Sequence, residues 1–533
     1  MTLNSPIAAE VRKDDGASFR VLPFRIVLIW TLLLALRAIA LVTGLDRLPL
    51  VPAAPPEVII NDPAVALSRG FGLAAFSFEH SLNHLNILYA NFPPLYIALQ
   101  ALIFRTMGLS AATLRVPGVL FDLAACVFFL LVLREFYGRG IVDRLGVTIA
   151  GTLLLLEPIT LIHDRSGRME SLCLLFGSLS LYLCARSDRG VGPGQILLLR
   201  CAAAIAAGLA LSTHFESLAI CAVLALWSTA WIRRMRFGWV ALNALPLVVL
   251  FAAWGIAYRS QAMQAFHELR QLAVYAPKSS LDLGGLIGSI ASRNPRVTIQ
   301  AGSPALVLIL AALALGAVRL IVISVQRVPA EEPAEWRSAL LRFTAIVLVQ
   351  CALIQFIIPG PGGTRINVII PFAVICLGIA ISYLSNWPRK VAISGAALFV
   401  LLQLAITAAY LGELRNSWQA RSPQRYDTLV DAIPAKATVV AVPEFWVAFQ
   451  SHNRRLALIY HADDEYKYWS DNPAAFDPYD VVILDPETPE YNALHARARE
   501  GRPVEYLLNT QGRRFTVDAR SLDMTRLKDH STN

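Results

Sequence analysis

Charge is what this chain has least of: Asp, Glu, Lys and Arg make up 16% of its 533 residues, against 56% hydrophobic. Such a balance excludes an ordinary soluble domain and points to a polytopic membrane protein. Cysteine is missing from the polar C-terminal region, since all 7 (Cys126, Cys173, Cys184, Cys201, Cys221, Cys351 and Cys376) fall in or beside apolar segments. That leaves no disulfide framework and no Cys-based metal site, and packing roles for the thiols. The C-terminal region also lacks a Gly-rich phosphate fingerprint, so no nucleotide is assigned to it. Internal repeats and low-complexity tracts are absent. The N-terminal leader lacks a convincing cleavage site and runs into an apolar stretch too long for a signal-peptide core, so residues 24–44 read as an uncleaved first span. The net charge of +9 calls for no nucleic acid, because most Lys and Arg lie in short loops beside spans, where they set orientation.

What is there is a series of about 11 stretches long enough to cross a bilayer: 24–44, 113–133, 145–162, 170–187, 197–213, 216–232, 239–258, 303–324, 340–358, 365–385 and 390–411. Alternate loops carry the basic residues: Arg12, Lys13, Arg20 and Arg25; Arg134, Arg139 and Arg144; Arg186, Arg189 and Arg200; Arg233, Arg234 and Arg236; Arg319, Arg327 and Arg337; Arg389 and Lys390. The positive-inside rule makes this set cytoplasmic. Residues 92–108 are apolar enough to suggest another span, but counting them would place two of these loops outside. The segment is short, opens on Phe92-Pro93-Pro94 and carries Arg105, so it reads as an interfacial or re-entrant helix.

The expected fold is mainly α: a polytopic transmembrane helical bundle with interfacial helices in its first outer loop and a small extracytoplasmic α/β domain at the C-terminus. The divisions are a cytoplasmic leader (1–23), a membrane domain (24–412, with 45–112 as the first outer loop) and the C-terminal domain (413–533). In the last, apolar runs at 437–442, 456–460, 481–485 and 515–517 alternate with helix-like segments at 425–432 and 489–499.

Three polar groups on the outer face could carry chemistry. Asp62, in Ile59-Ile60-Asn61-Asp62-Pro63, is either a general base for an acceptor hydroxyl or a helix N-cap before proline. The turn His163-Asp164-Arg165-Ser166-Gly167-Arg168-Met169-Glu170 packs ionisable groups between two spans, where charge is costly. On a helix, Arg165 and Arg168 would share a face and suit a phosphate. Glu170 would orient substrate, hold a cation or balance the arginines; the competing reading is a salt-bridged cap. His214 and Arg365 sit at outer helix ends and suit an anion, or anchoring at the interface. His80 and His84 would share a helical face beside Glu79, a weak pattern for metal.

In order along the chain, several short motifs resemble the GT-C glycosyltransferases of the family 39 type, relatives of protein O-mannosyltransferases and aminoarabinose transferases. They are Asn61-Asp62-Pro63 after the first span; Leu88-Tyr89-Ala90-Asn91-Phe92-Pro93-Pro94-Leu95-Tyr96, similar to a His-Pro-Pro-Leu-Tyr element; Met107-Gly108-Leu109-Ser110; Leu114-Arg115-Val116-Pro117; Arg165-Ser166-Gly167-Arg168-Met169-Glu170, similar to Arg-x-x-Arg-x-Asp/Glu; and Arg365-Ile366-Asn367-Val368-Ile369-Ile370-Pro371. Asn91-Phe92 stands where the family has His or Lys before its prolines, and Thr213-His214 where it has Thr-Lys. The resemblance covers residues 24–385 and leaves the C-terminal region outside.

The resemblance implies an integral membrane glycosyltransferase of the bacterial cytoplasmic (inner) membrane. It would move a sugar from a polyprenyl-phosphate donor to a lipid, glycan or protein acceptor on the extracytoplasmic side, with inversion. Carried over, Asp62 would be the base and Glu170 a second catalytic acid. Arg168 and Arg365 would neutralise the departing phosphate, with Arg165, His214, Asn91 and Tyr96 also binding substrate. No cofactor is required by this reading; a divalent cation stays open, with no ligand residues assigned. A transporter or lipid flippase, and a non-catalytic scaffold, are the competing functions.

Overall fold

The computed structural model describes residues 20–47, 55–78, 93–189, 192–214, 217–218, 229–257, 303–325, 334–356, 366–384, 386–416, 418, 422–441, 443–458, 479–484, 506–510 and 513–519. Asn91, Arg365, the Glu79–His84 group, the helix-like segment 489–499 and most of the span at 216–232 lie outside them.

The chain opens with α1 (Phe24–Val42), an apolar helix of 19 residues, about 28 Å long at 1.5 Å per residue. Its one charged interior residue, Arg37, is buried and holds Asp122 of α4 (Ala111–Gly138) through two bonds of 2.7 Å, from Nε and Nη2. The same guanidinium donates to the carbonyls of Leu155 and Glu157, both at 3.3 Å, and to the Thr160 hydroxyl at 2.9 Å. These acceptors exist because the expected span at 145–162 is broken into α5 (Arg144–Leu156) and α6 (Pro158–Asp164). Proline lacks an N–H and pushes the residue before it out of the helical region; Glu157 accordingly has ψ 116° and caps α6 by accepting from Thr160 N at 2.7 Å. Inside a bundle every freed carbonyl needs a partner, and Arg37 supplies it.

The segment between α1 and α4 contributes α2 (Pro55–Ser68) and α3 (Pro94–Met107). At 14 residues, α3 is about 21 Å long, short of the roughly 30 Å hydrocarbon core. It ends at Gly108, and α4 follows through a capping box in which Ser110 and Thr113 satisfy each other's backbone N–H. Next come α7 (Glu170–Ser187) and α8 (Pro193–Leu211), with α7 packed between α4 and α8. The expected break at Arg233–Arg236 is absent: α9 runs unbroken over Thr229–Ala257, since nothing between Thr229 and Val240 removes a backbone donor. Then follow α10 (Ser303–Val325), α11 (Ala334–Phe356), a short 3-10 turn (Ile366–Val368), α12 (Ile370–Ile381) and α13 (Asn386–Asn416). Among the described residues, 7 helices are long and apolar enough to cross a membrane.

Close helix approach is set by small residues. A Cβ on Gly146 of α5 would run into the Gly378 carbonyl and the Ser382 hydroxyl of the α12 end, and one on Gly378 would sit 2.9 Å from Ala150. Gly146→Ala is expected to cost about 1–3 kcal/mol through overpacking, measured as a lower Tm of the detergent-purified protein.

The C-terminal part adds α14 (Pro423–Ala432), α15 (Trp446–Ser451) and five short strands: β1 (Val439–Ala441), β2 (Ala457–Leu458), β3 (Val481–Leu484), β4 (Tyr506–Thr510) and β5 (Arg513–Ala519). They form one sheet in the order β2-β1-β3-β5-β4, parallel at β2-β1-β3 and antiparallel at β3-β5-β4. This part shares its core with α2 and α3. Val58, Ile59, Val65, Leu73, Ile97 and Phe104 form one buried cluster with Val430, Val439, Phe445, Trp446, Phe449 and Ile483. The sheet is therefore seated on α2 and α3 by apolar burial, the dominant attractive force available to it.

Candidate active site

The site begins with the way α2 starts. Two prolines followed by an acid, Pro55-Pro56-Glu57, favour a helix N-terminus, because proline tolerates the first turn and a carboxylate there meets the positive end of the helix. The helix consequently begins well before Asp62, and Pro63 lies inside it. The reading of Asp62-Pro63 as a helix start is corrected accordingly. At 100° per residue, Glu57 and Asn61 share one face, while Asp62 points about 140° away from Glu57.

The Glu57–Asn61 face meets the polar turn. Asn61 Nδ2 donates to the Glu57 carbonyl at 2.7 Å and to the Gly167 carbonyl at 2.9 Å. Glu57 is held by Arg115 of α4, with Nε to Oε1 at 2.9 Å and Nη2 to Oε2 at 3.4 Å. Arg115 also donates to the carbonyls of Leu45 and Arg47. Gly167 has φ +64°, and a Cβ there would come within 2.9 Å of the Leu114 carbonyl and 3.2 Å of Glu57 Oε1. A glycine is thus required for the turn to lie this close to α2.

That left-handed residue ends any helical continuation from α6, which separates the two arginines expected to share a face. Arg165 turns to the Thr43 carbonyl and stacks 5.6 Å from the Tyr410 ring centroid. Arg168 pairs with Glu170 at the start of α7 and lies 3.5 Å from His163 Nδ1. Phosphate recognition by an Arg165–Arg168 pair is therefore not the arrangement found.

Tyr96 of α3 completes the cluster. It is fully buried, lies within electrostatic reach of Glu170, Glu57 and Arg168, and its burial holds the phenol well above its ordinary proton affinity. His214 is buried and within electrostatic reach of Glu170; the end of α8 that carries it is tied to α3 by Leu95 N donating to the Ser212 carbonyl at 3.1 Å. Among the described residues, the Tyr96 hydroxyl, Asn61 Oδ1, Glu170 Oε2 and both amide atoms of the buried Asn367 have no hydrogen-bond partner. Buried polar atoms are nearly always paired; the orphans on Tyr96, Asn61 and Glu170 leave hydrogen-bonding capacity beside this turn, and further buried orphans occur elsewhere, on Trp30, Gln350 and Gln403 among others. The 366–368 turn carrying Asn367 packs against α7.

Asp62 is placed elsewhere. Its Oδ1 accepts from Ser77 Oγ at 2.6 Å and Trp446 Nε1 at 2.8 Å, and its Oδ2 from Ser77 N at 2.9 Å. Gln450 donates to Ser77 Oγ at 3.3 Å, and Arg69 donates to the Gln450 side chain and carbonyl at 2.8 and 2.5 Å. Burial raises the proton affinity of Asp62, and the hydrogen bonds from Ser77 and Trp446 oppose that rise. The network joins α2 to the C-terminal part and contains no member of the Glu170 cluster.

Of the residues expected from the sequence, the structure brings Glu170, Arg168, Tyr96 and His214 together, and beside them it places Glu57, which the sequence reading did not single out. The available signal was its position four residues before Asn61, in the first turn of a proline-initiated helix. Among the described residues no three His, Cys, Asp or Glu side chains group as metal ligands.

The fold is shared with ArnT from Cupriavidus metallidurans bound to undecaprenyl phosphate, at a TM-score of 0.58 and 13% identity over 92% of this chain and 98% of that one. It is also shared with the arabinofuranosyltransferase AftD from Mycobacteria, at a TM-score of 0.50 and 15% identity, covering 94% of this chain and 42% of that one. No family model matches the sequence, and no curated protein does.

Proposed function

We propose that this protein transfers a sugar from a polyprenyl-phosphate donor to an acceptor hydroxyl at the extracytoplasmic face of a bacterial inner membrane. The observation that carries the reading is the buried Glu57–Asn61–Gly167–Arg168–Glu170–Tyr96 cluster, rich in unpartnered polar atoms, in a fold shared over nearly its whole length with a protein solved with undecaprenyl phosphate.

The acceptor oxygen attacks the anomeric carbon from the side opposite the phosphate. The bond from that carbon to the phosphate oxygen breaks, and its electron pair leaves with the phosphate, so configuration inverts. The hydroxyl proton passes to a carboxylate. The leaving group is already a phosphate ester, so positioning and charge stabilisation can supply the barrier reduction. Arg168, with His214 and Arg365, balances the phosphate charge, and Glu170 holds Arg168 in place. Asn61 and Tyr96 have free polar atoms for the sugar hydroxyls. Asn91 stays with the substrate contacts by its motif position; Arg165 spends one nitrogen on the Thr43 carbonyl and stacks on Tyr410, and its buried Nη1 has no hydrogen-bond partner. Glu57, the acid of α2 that faces the turn, is taken as the proton acceptor in place of Asp62; its contacts with Asn61, Gly167 and Arg115 support that reading, and the bonds of Asp62 to Ser77 and Trp446 support a role in seating the C-terminal sheet.

Mass spectrometry of envelope glycolipids and glycans tests the function. A strain without the gene should lack one glycoform that returns with the intact protein. An unchanged glycan and glycolipid profile in the deletion strain overturns the proposal.

A further inference from the structure

A second polar feature sits far from the acid cluster. The N-terminal approach to α1, the α4–α5 turn and the start of α13 border an open cavity of about 490 Å³ lined by Arg20, Val21, Tyr137, Asp143, Arg144 and Arg389, the three arginines being exposed. Arg115, which holds Glu57, and Tyr137 are both on α4, about 33 Å apart along its axis at 1.5 Å per residue. The cavity is therefore at the opposite end of the bundle from the acid cluster, among the loops whose basic residues read as cytoplasmic.

Three guanidiniums face this space with one carboxylate, and that carboxylate is already committed. Asp143 Oδ1 caps α5 by accepting from Gly146 N at 2.7 Å, and Oδ2 accepts from Tyr383 N at 3.3 Å. On the same turn Arg139 has acidic partners in Asp188 and Glu335, whereas among the described residues Arg20, Arg144 and Arg389 pair with none. The framework is fixed. Arg20 N donates to the Gly138 carbonyl at 3.1 Å, and the Tyr383 hydroxyl donates to the Gly140 carbonyl at 2.6 Å. Gly140 has φ +72°, and the Arg20 guanidinium lies over it, 3.9 Å from where a Cβ would stand. Arg144 Nε donates to the Tyr137 hydroxyl at 3.4 Å, and both residues line the cavity. Beside the cavity, Val21 and Phe24 are 83% and 77% exposed, and the apolar exposure continues up α1 through Leu28, Leu32 and Leu36.

We propose that this cavity binds a phosphate-bearing anion, with the headgroup of an anionic phospholipid as its occupant and the acyl chains lying along the exposed face of α1. Guanidiniums recognise phosphate oxygens through paired donors, and basic pockets between helices on the cytoplasmic side are where anionic headgroups dock. An apolar track leading from the pocket favours a lipid over free phosphate. The site is separate from the donor-phosphate centre and does not depend on the proposed transfer.

The test uses the full-length protein in neutral detergent, with short-chain phosphatidylglycerol as probe, phosphatidylcholine as the zwitterionic control and inorganic phosphate as the soluble anion, read by native mass spectrometry. Phosphatidylglycerol should bind in preference to phosphatidylcholine. Its affinity should fall about fivefold for each of Arg20→Gln, Arg144→Gln and Arg389→Gln, and about 100-fold in the triple variant. Arg25→Gln, on the same end but outside the cavity, should leave binding unchanged and controls for general loss of surface charge. Should the triple variant not accumulate, the single variants carry the same comparison. Arginine-dependent binding of inorganic phosphate without a preference for phosphatidylglycerol supports the site and reassigns its occupant to a soluble phosphate. Equal phosphatidylglycerol binding by the intact and arginine-substituted proteins overturns the proposal.

Discussion

Glu57→Gln is expected to lower kcat/KM by about 10²–10⁴ while leaving the protein folded, the range set by loss of a positioned proton acceptor. The amide oxygen can still accept from Arg115 Nε, which the carboxylate does now at 2.9 Å, so the α2–α4 contact survives in weakened form. The effect should fall on kcat with little change in KM, because Glu57 would act on the acceptor proton as the bond forms. Arg115→Gln separates chemistry from architecture: it removes the same ion pair but keeps the carboxylate, so it should retain measurable turnover at reduced stability. Equal loss of turnover in the two variants, with equal loss of Tm, would make Glu57 a structural partner of Arg115 and end its assignment as base.

Asp62→Ala is expected to destabilise the protein by about 3 kcal/mol. It strands two buried donors, Ser77 N and Trp446 Nε1, and each orphan costs about 1–3 kcal/mol. The damage should be local to the contact between α2 and the C-terminal part, seen as faster proteolysis within that part and a lower Tm. Asp62→Asn should be milder, and its comparison with the intact protein has a definite pH dependence. Burial raises the Asp62 pKa in the folded protein above the ordinary 3.8. A raised carboxyl contributes stability that is full below the unfolded value and is lost as pH rises through the folded one. The intact protein should therefore gain stability over Asp62→Asn as pH falls through the raised folded pKa toward 3.8, and hold least of that advantage at neutral pH. A stably folded Asp62→Asn protein with no turnover would restore Asp62 as the base and defeat the assignment made from the geometry.

The two acids show what a sequence can and cannot convey. Glu170 was legible because a charged run gives way there to an apolar one, and the helix starts at that residue. The helix at 92–108 was legible as an apolar segment too short for an ordinary span, and α3 has 14 residues. Asp62 was visible as an acid near a span, but its partner Trp446 lies 384 residues away, beyond any local pattern. The hidden element was rotational phase. With the helix start assigned at Asp62 instead of Pro55, Glu57 fell outside the helix and its alignment with Asn61 could not be read. Arg165 and Arg168 failed in the opposite way, because a helical spacing was assumed across a glycine that adopts a left-handed conformation. The strand at Tyr506–Thr510 went unread because Asn509 and Thr510 interrupt its apolar alternation; pairing with β5 supplies what the residues alone do not.

The Arg37 clamp has a consequence for how the chain is made. Ribosomes deliver α1 to the membrane first, with a guanidinium in its interior that would cost up to about 3 kcal/mol if left alone. Its carboxylate partner, Asp122, emerges 85 residues later, and its carbonyl acceptors at Leu155 and Glu157 emerge 118 and 120 residues later. The Arg37 guanidinium gains these partners only once the fourth and fifth helices have been made, so the contact that locks the finished bundle can close only late in synthesis.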